Sequence, residues 1–310
     1  DAHRVHARAE TNNQVKLEMP VEPFAIAATP SGDALVVTHQ TTNRVSLFTQ
    51  DWSSSKGPRL SAIEEMAAAG PMGLGALPAT QGVPDGFLLT HRSQAELDLL
   101  RVFPGSADGS VEAQVHSAGQ LLLRANSVST DSRGVLVEQV ARQQCLAACS
   151  DDACSASCSD LPLEVYVASR SPSSLLIGRL AVRDGQLQLP EFQEVLSLPY
   201  GPSRVVAGEV IDASGKLIHR LFVVCFDSRR IAIVDPVSRR VETWVSTGRG
   251  PQALVVDTGV DAEGRGFALG YVAHFTDSYV GVLQLDQRAV RDYGQMVLTI
   301  AKPQKPKSER

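Results

Sequence analysis

The chain contains few aromatic residues and no long hydrophobic segment. Aromatic side chains make up 5% of its 310 residues, and no apolar run approaches the roughly 18 residues that a membrane-spanning helix requires. Its 29 basic residues are outnumbered by 34 acidic residues, which gives a net charge of −5. Because a nucleic-acid surface needs clustered lysine and arginine, we predict no nucleic-acid partner. The absence of a long apolar run predicts no transmembrane segment.

Common catalytic and cofactor motifs are also missing. The sequence has no G-x-S-x-G, no H-E-x-x-H, no phosphate-binding loop and no C-x-x-C-H haem site. It also lacks a calcium loop of the EF-hand type. We therefore predict no catalytic residue, no cofactor and no metal ligand.

The sequence does contain a repeat of roughly 50 residues, the length of a propeller blade. Each copy has an apolar run, a short polar turn and a second apolar run. The copies begin at Ala34 (ALVVTHQTTNRVSLF), Phe87 (FLLTHRSQAELDLLRV), Glu164 (EVYVASRSPSSLLIGRL), Leu221 (LFVVCFDSRRIAIVD) and Tyr271 (YVAHFTDSYVGVLQLD). Such runs between turn residues are typical of strands in an antiparallel sheet.

The start of each unit is regular too. In four units a proline precedes a further apolar strand: Pro23, Pro71, Pro202 and Pro251. Proline suits the first position of a strand, where no ladder N–H is required. In the third unit Arg124 and Ala125 take this place, and residues 126–131 are the predicted strand. A more polar fourth strand completes each unit, as expected for the outer edge of a blade.

These units predict an all-β fold, a β-propeller of four-stranded antiparallel blades. Five blades are clear, and a composite or missing further blade is left open. We predict an N-terminal closure segment at 1–20, the propeller at 21–300 with a cysteine-rich insertion at 143–160, and a disordered basic tail at 301–310. Closure would bring residues 14–19 close to residues 295–300.

The run ALVVTHQTTNRVSLF from Ala34 resembles the repeat of YncE-like (YVTN-type) bacterial β-propellers. In the fourth unit, RIAIVD from Arg230 resembles the second half of the same repeat. The resemblance implies a periplasmic or cell-surface protein, in a family of which many members lack enzymatic activity. Proteins of similar fold include quinoprotein amine dehydrogenase heavy chains and lactonase-type propellers. Their activity would require polar side chains around the central channel.

Four of the five cysteines lie close together in the third unit, in the spacing C-x3-C-x4-C-x3-C. If the segment is helical, Cys145 lies one turn from Cys149, and Cys154 one turn from Cys158. Two antiparallel helices would pair Cys145 with Cys158 and Cys149 with Cys154. A metal site with four thiolate ligands is the alternative. Disulfides would indicate an oxidising compartment. Cys225, inside a strand, is predicted to be a buried and unreactive thiol.

Three histidines occupy equivalent positions in the repeat, at the ends of the second strands of units one, two and five: His39, His91 and His274. Two roles are open for them. Each histidine forms hydrogen bonds with the backbone of its own turn, or the three together belong to a shared binding rim. Four charged residues should lie on the same face: Arg204, Arg249, Asp227 and Asp277. Mixed charges of this kind form either a solvated rim or a ligand site.

The sequence therefore favours a non-catalytic binding or scaffold propeller of the bacterial periplasm or cell surface. Other protein subunits are its expected partners. The alternative is an enzyme with its site in the channel, either a lactonase-like hydrolase or a quinoprotein-type dehydrogenase. The first residue is Asp1 rather than methionine, which is typical of a processed or partial chain, and a lipid anchor upstream of it is compatible with the expected location.

Overall fold

The computed structural model describes residues 20–32, 34–51, 59–79, 85–103, 112–120, 130–183, 186–188 and 190–302. These residues form five four-stranded antiparallel sheets, each with its strands in chain order. This arrangement confirms the predicted all-β propeller. Neither helix in the described part of the chain is long and apolar enough to span a membrane.

Each sheet is one blade, with strands A to D from the channel outwards. The first blade contains β1 (Pro23–Ala28), β2 (Ala34–His39), β3 (Arg44–Asp51) and β4 (Arg59–Ala67). The second contains β5 (Pro71–Ala76), β6 (Gly86–His91), β7 (Glu96–Phe103) and β8 (Glu112–Gln120). The third contains β9 (Ser132–Glu138), β10 (Leu163–Arg170), β11 (Ser173–Leu180), the small hairpin β12 (Val182–Arg183) and β13 (Gln186–Leu187), and β14 (Glu191–Ser197).

The fourth blade contains β15 (Pro202–Ile211), β16 (Leu217–Cys225), β17 (Arg230–Asp235) and β18 (Arg240–Ser246). The fifth contains β19 (Pro251–Val260), β20 (Gly266–His274), β21 (Tyr279–Gln284) and β22 (Met296–Ile300). Helices α1 (Val140–Ala148) and α2 (Asp152–Ser159) lie in the A–B connection of the third blade.

The core consists of apolar layers between consecutive blades. In β6, Leu88 packs in the layer shared with the third blade, whereas Phe87 and Leu89 pack in the layer shared with the first. Side chains alternate across a strand, so a B strand with neighbours on both sides must be apolar on both faces. Phe222 and Leu221 show the same division in β16. Each fully buried side chain of this size stabilises the fold by roughly 2 kcal/mol.

The first and fifth blades each have one apolar face that no blade covers in the described part of the chain. Val255 and Leu298 share a face of the fifth blade, through the pairs Val255↔Tyr271, Tyr271↔Val282 and Val282↔Leu298. They are 65% and 61% exposed, and Ile26 of the first blade is 69% exposed. The C-terminal strand β22 completes the fifth blade. Residues 14–19, the other half of the predicted closure, lie outside the described residues.

The predicted A strand of the third blade is wrong. The structure places this strand at Ser132–Glu138 rather than at residues 126–131, and Thr130 and Asp131 precede it. Val135 and Val137 of the observed strand pack in the apolar layer between the second and third blades. The predicted segment, NSVSTD, has only one aliphatic side chain for such a layer. Arg124 and Ala125 lie outside the described residues.

Candidate functional site: the rim face, the channel and the cystine hairpin

One face of the propeller carries the B–C turns and the D–A connections, and we call it the rim face. The first residue of an A strand lies opposite the last residue of its B strand in four blades: Pro23↔His39, Pro71↔His91, Pro202↔Cys225 and Pro251↔His274. The residue before each proline is left-handed, as at Gly201 with φ 81°. Glycine adopts this conformation without strain, which explains the Gly-Pro pairs in the sequence.

The structure places the three equivalent histidines inside their blades, beneath the rim face. His39, His91 and His274 are 0%, 0% and 2% exposed. Nε2 of His39 lies 3.0 Å from the Ser46 hydroxyl oxygen, and the ring of His274 stacks on Tyr279 with centroids 4.1 Å apart. The imidazoles are buried and contact neighbouring groups of the propeller, and this burial does not favour the shared binding rim. Within the described residues they form no common metal site.

His91 has a different environment from His274, although the two positions are equivalent. Nδ1 of His91 lies 2.6 Å from the Ala69 carbonyl oxygen, and Nε2 lies 3.1 Å from Oδ2 of Asp98. Burial alone would lower the pKa of His91, but the nearby Asp98 carboxylate and the Ala69 carbonyl oxygen raise it overall. Burial lowers the pKa of His274 and outweighs the opposing effects of the Asp277 charge and of the backbone at Val272 and Tyr279.

Most of the predicted charged residues of the rim face form ion pairs. Nε of Arg249 donates to Asp277 over 2.8 Å, and its backbone N–H donates to the same carboxylate over 2.9 Å. Asp227, in the B–C turn of the fourth blade, pairs with Arg170 of the third. These contacts fasten turns and neighbouring blades to each other. Arg204 differs, because its side chain lies in the central channel.

The channel contains a cavity of about 370 Å³ lined by the A strands of the first four blades. Glycine, alanine, valine and leucine dominate its wall, together with Phe24, Ser203 and two arginines. Arg133 is paired with Asp131, with Nη2 and Oδ2 3.1 Å apart. Cζ of Arg204 lies 6.0 Å from the ring centroid of Phe24. No histidine, aspartate, glutamate or asparagine is among the described wall residues.

The four clustered cysteines form the two disulfides predicted from their spacing, Cys145–Cys158 and Cys149–Cys154. They join α1 to α2, and we call this element, residues 139–162, the cystine hairpin. The side chain of Asp151 accepts a hydrogen bond from the backbone N–H of Cys154 over 2.8 Å, which caps α2. The fifth cysteine, Cys225, is fully buried, and burial raises the pKa of its thiol to about 12.

The cystine hairpin lies on the face opposite the rim face, with the other A–B and C–D connections, and we call this the hairpin face. Nε2 of His219, in the A–B hairpin of the fourth blade, lies 2.7 Å from Oε2 of Glu138 at the base of the cystine hairpin. A groove of about 200 Å³ separates α1 from the third and fourth blades. Glu164 lines it, and burial raises the pKa of this carboxyl.

Sequence reasoning missed the channel cavity, the His219–Glu138 pair and Glu164. His219 and Glu138 lie in different blades, and no sequence pattern relates them. The repeat alone predicts Arg204 to be a rim residue. Its position two residues after Pro202, at the start of an A strand, was the signal that could have placed it at the channel.

No family model matches the chain, and no curated protein matches it either. Among solved structures it is similar to the dihydro-heme d1 dehydrogenase NirN in complex with DHE, with a TM-score of 0.52 and 12% identity, over 92% of this chain and 48% of that one. It is also similar to a candidate 6-phosphogluconolactonase from Bacteroides uniformis, with a TM-score of 0.51 and 12% identity, over 93% of this chain and 73% of that one.

A third similar structure is apo AztD from Citrobacter koseri, with a TM-score of 0.44 and 12% identity, over 91% of this chain and 72% of that one. The chain thus spans about half the length of NirN and about three quarters of the other two. At such low identity the likeness concerns the fold alone, because one fold serves many unrelated functions. Together with the five blades of the described residues, the likeness to NirN and to the candidate lactonase identifies the chain as a β-propeller protein.

Proposed function

We propose that the chain is a non-catalytic binding or scaffold propeller of the bacterial periplasm or cell surface, and that it is a subunit of a protein assembly. The chemistry of the channel wall carries this proposal. Hydrolysis of a lactone or oxidation of an amine requires a general acid or base, or a bound ion, at the reacting centre. The described wall of the channel offers two guanidinium groups and one hydroxyl group among small and aliphatic residues.

Two disulfides in one short insertion support the proposed location. Thiols are kept reduced in the cytosol, whereas disulfides persist in the periplasm and at cell surfaces. The resemblance of the repeat to YncE-like propellers supports the same location.

The hairpin face is the proposed contact surface for another subunit. The disulfides hold the cystine hairpin rigid, so that binding a partner need not order it. Apolar side chains are exposed here on two neighbouring elements: Leu146 of α1 is 46% exposed, and Val237 of the C–D turn of the fourth blade is 84% exposed. A rigid protruding element with exposed apolar side chains is typical of a protein-binding surface.

Site-specific photo-cross-linking in the native host tests this proposal. A photoreactive residue in place of Leu146 should give one discrete adduct of higher mass. The control is the same residue in place of Phe275, which is 75% exposed on the rim face and should give none. Equal adducts from both positions, or none from Leu146, would contradict the proposal.

An activity assay tests the enzymatic alternative. Purified protein should neither hydrolyse lactones nor reduce an artificial electron acceptor with amine substrates. Turnover that Arg204→Met abolishes and that Arg265→Met preserves would show a channel enzyme instead.

A further inference from the structure

Arg204 differs from three other arginines on this side of the propeller in having no counter-ion among the described residues. Arg133, Arg170 and Arg249 each pair with an aspartate. No carboxylate in the described part of the chain pairs with Arg204, and its Nε is buried without a hydrogen-bond partner. Within the described residues its guanidinium lies 6.0 Å from the ring centroid of Phe24, at the outer limit of a cation–π interaction.

The side chain of Arg204 is half-buried, and moving a charged group even partly out of water is costly. A guanidinium loses hydration when it leaves water, and a paired carboxylate normally compensates this loss. For Arg204 burial lowers the pKa, and no neighbouring acid opposes the shift. The fold therefore retains a charged group whose Nε donates no hydrogen bond to the described residues.

The surroundings of Arg204 form a cavity rather than a packed core. Gly134 lies so near that a Cβ atom there would be 2.7 Å from Cα of Arg204. The A strands of the third and fourth blades therefore approach closely on this side, while the cavity of about 370 Å³ stays open in the channel. This volume is within the range of small-molecule sites, which are mostly apolar with a few polar groups that fix orientation.

The charges of the cavity determine the ligand charge. Arg133 is neutralised by Asp131, with which it forms two contacts. Arg204 therefore contributes one uncompensated positive charge to the wall. A single negative charge compensates it, whereas a dianion would leave one negative charge in a mainly apolar cavity.

We propose that the channel cavity binds a small organic monoanion, with its carboxylate on Arg204 and its apolar part against Phe24 and the aliphatic wall. The planar guanidinium can donate two parallel hydrogen bonds to a carboxylate. This ligand site is independent of the protein partner on the hairpin face, so either proposal can fail alone.

Isothermal titration of the purified chain with benzoate and hexanoate tests the inference, with benzamide and hexanamide as neutral counterparts. At least one acid should bind with millimolar affinity or better, and at least tenfold more tightly than its amide, because an added charge-assisted hydrogen bond changes affinity by about this factor. No binding of either acid up to about 10 mM, or equal affinity for acid and amide, would overturn it. This comparison uses the unmodified protein and does not depend on any variant folding.

Arg204→Met locates the site, since methionine retains an apolar stem and removes the charge. It should weaken binding of the acid by about tenfold to hundredfold. Arg265→Met, at a side chain that is 73% exposed on the hairpin face, should bind as the unmodified protein does. Undiminished binding by Arg204→Met, or an equal loss in Arg265→Met, would overturn the assignment to the channel. The ligand-free Arg204→Met protein should also melt at a higher temperature, because a half-buried charge without a carboxylate partner among the described residues has been removed.

Discussion

On the rim face the entry to the A strand repeats in four of the five blades, whereas on the hairpin face the A–B connections differ in length. The A strands of four blades begin with a proline opposite the end of the B strand. The A–B connections on the opposite face range from residues 212–216 in the fourth blade to residues 139–162 in the third. The repeat therefore determines the rim face, and insertions determine the hairpin face.

The two faces therefore tolerate sequence change to different extents. On the rim face, turn residues and ion pairs hold adjacent blades in register, so a change there affects packing between blades. On the hairpin face, a connection can grow without disturbing the ring, because it is anchored only at its two ends. Variation tolerated in this way is where propellers acquire specific recognition.

The largest expected change in the free energy of unfolding is at the close approach of the third and fourth blades near the rim face. Gly134→Ala should destabilise the protein by about 3 kcal/mol, because a Cβ at this position would meet the backbone of Arg204 and the strands would have to separate. The matched control is Gly266→Ala, where the nearest atom would lie 3.7 Å away and stability should change little. Urea unfolding of both variants measures the difference, and equal stabilities would show that the blades are not held this closely.

The cystine hairpin should respond locally to loss of its outer disulfide. Cys145→Ser with Cys158→Ser should ease opening of the hairpin by up to about 3 kcal/mol, because the bridge closes a segment with a sequence separation of 13. Cys149→Ser with Cys154→Ser, at a separation of 5, should have a smaller effect. Limited proteolysis should detect faster cleavage within residues 139–162 of the first variant. A matching loss of ring stability would mean that the hairpin supports the ring.

His91 and His274 should respond oppositely to pH, although they occupy the same position in the repeat. The folded pKa of His91 is raised, so its contribution is fully present below the unfolded pKa of about 6.5 and is lost as pH rises through the folded value. His91→Asn should therefore cost more stability in acid than in base.

His274 has a lowered folded pKa, so the unfolded state takes up the proton more readily. Its contribution is present above the unfolded pKa and declines as pH falls towards the folded value. His274→Asn should therefore be most harmful at alkaline pH. Denaturation at about pH 5.5 and about pH 8 brackets the unfolded pKa and distinguishes the two. The same pH dependence in both variants would contradict the assigned environments.

The smallest expected effect concerns the hairpin face. The hydrogen bond with Glu138 raises the pKa of His219 against the opposing effect of burial. Its stabilisation should be present in acid and lost as pH rises through the raised folded pKa. His219→Gln should cost less than about 1 kcal/mol, because the pair is partly exposed. Proteolysis should cleave the cystine hairpin of this variant faster than that of the unmodified protein in acid, but not at alkaline pH. An equal increase in acid and at alkaline pH would show that the His219–Glu138 pair does not stabilise the hairpin.

Most of the architecture could be predicted from local patterns. Apolar runs such as that from Phe87 identify B strands, since a strand between two blades must be apolar on both faces. The cysteine spacing predicted the disulfides, because helical geometry places residues four apart on one side. The third A strand was misplaced because that unit has no Gly-Pro pair and its A–B connection carries the insertion.

The sequence by itself determined the repeat, the all-β architecture and the cystine hairpin, because each depends on residues near one another in the chain. Only the tertiary structure decided which polar groups found partners. It buried His91 next to Asp98 and stacked His274 on Tyr279. Among the described residues it left Arg204 beside Phe24 without a carboxylate. These outcomes depend on how strands from distant parts of the chain converge around one channel, and the cost of burying a charge depends on all the groups that surround it.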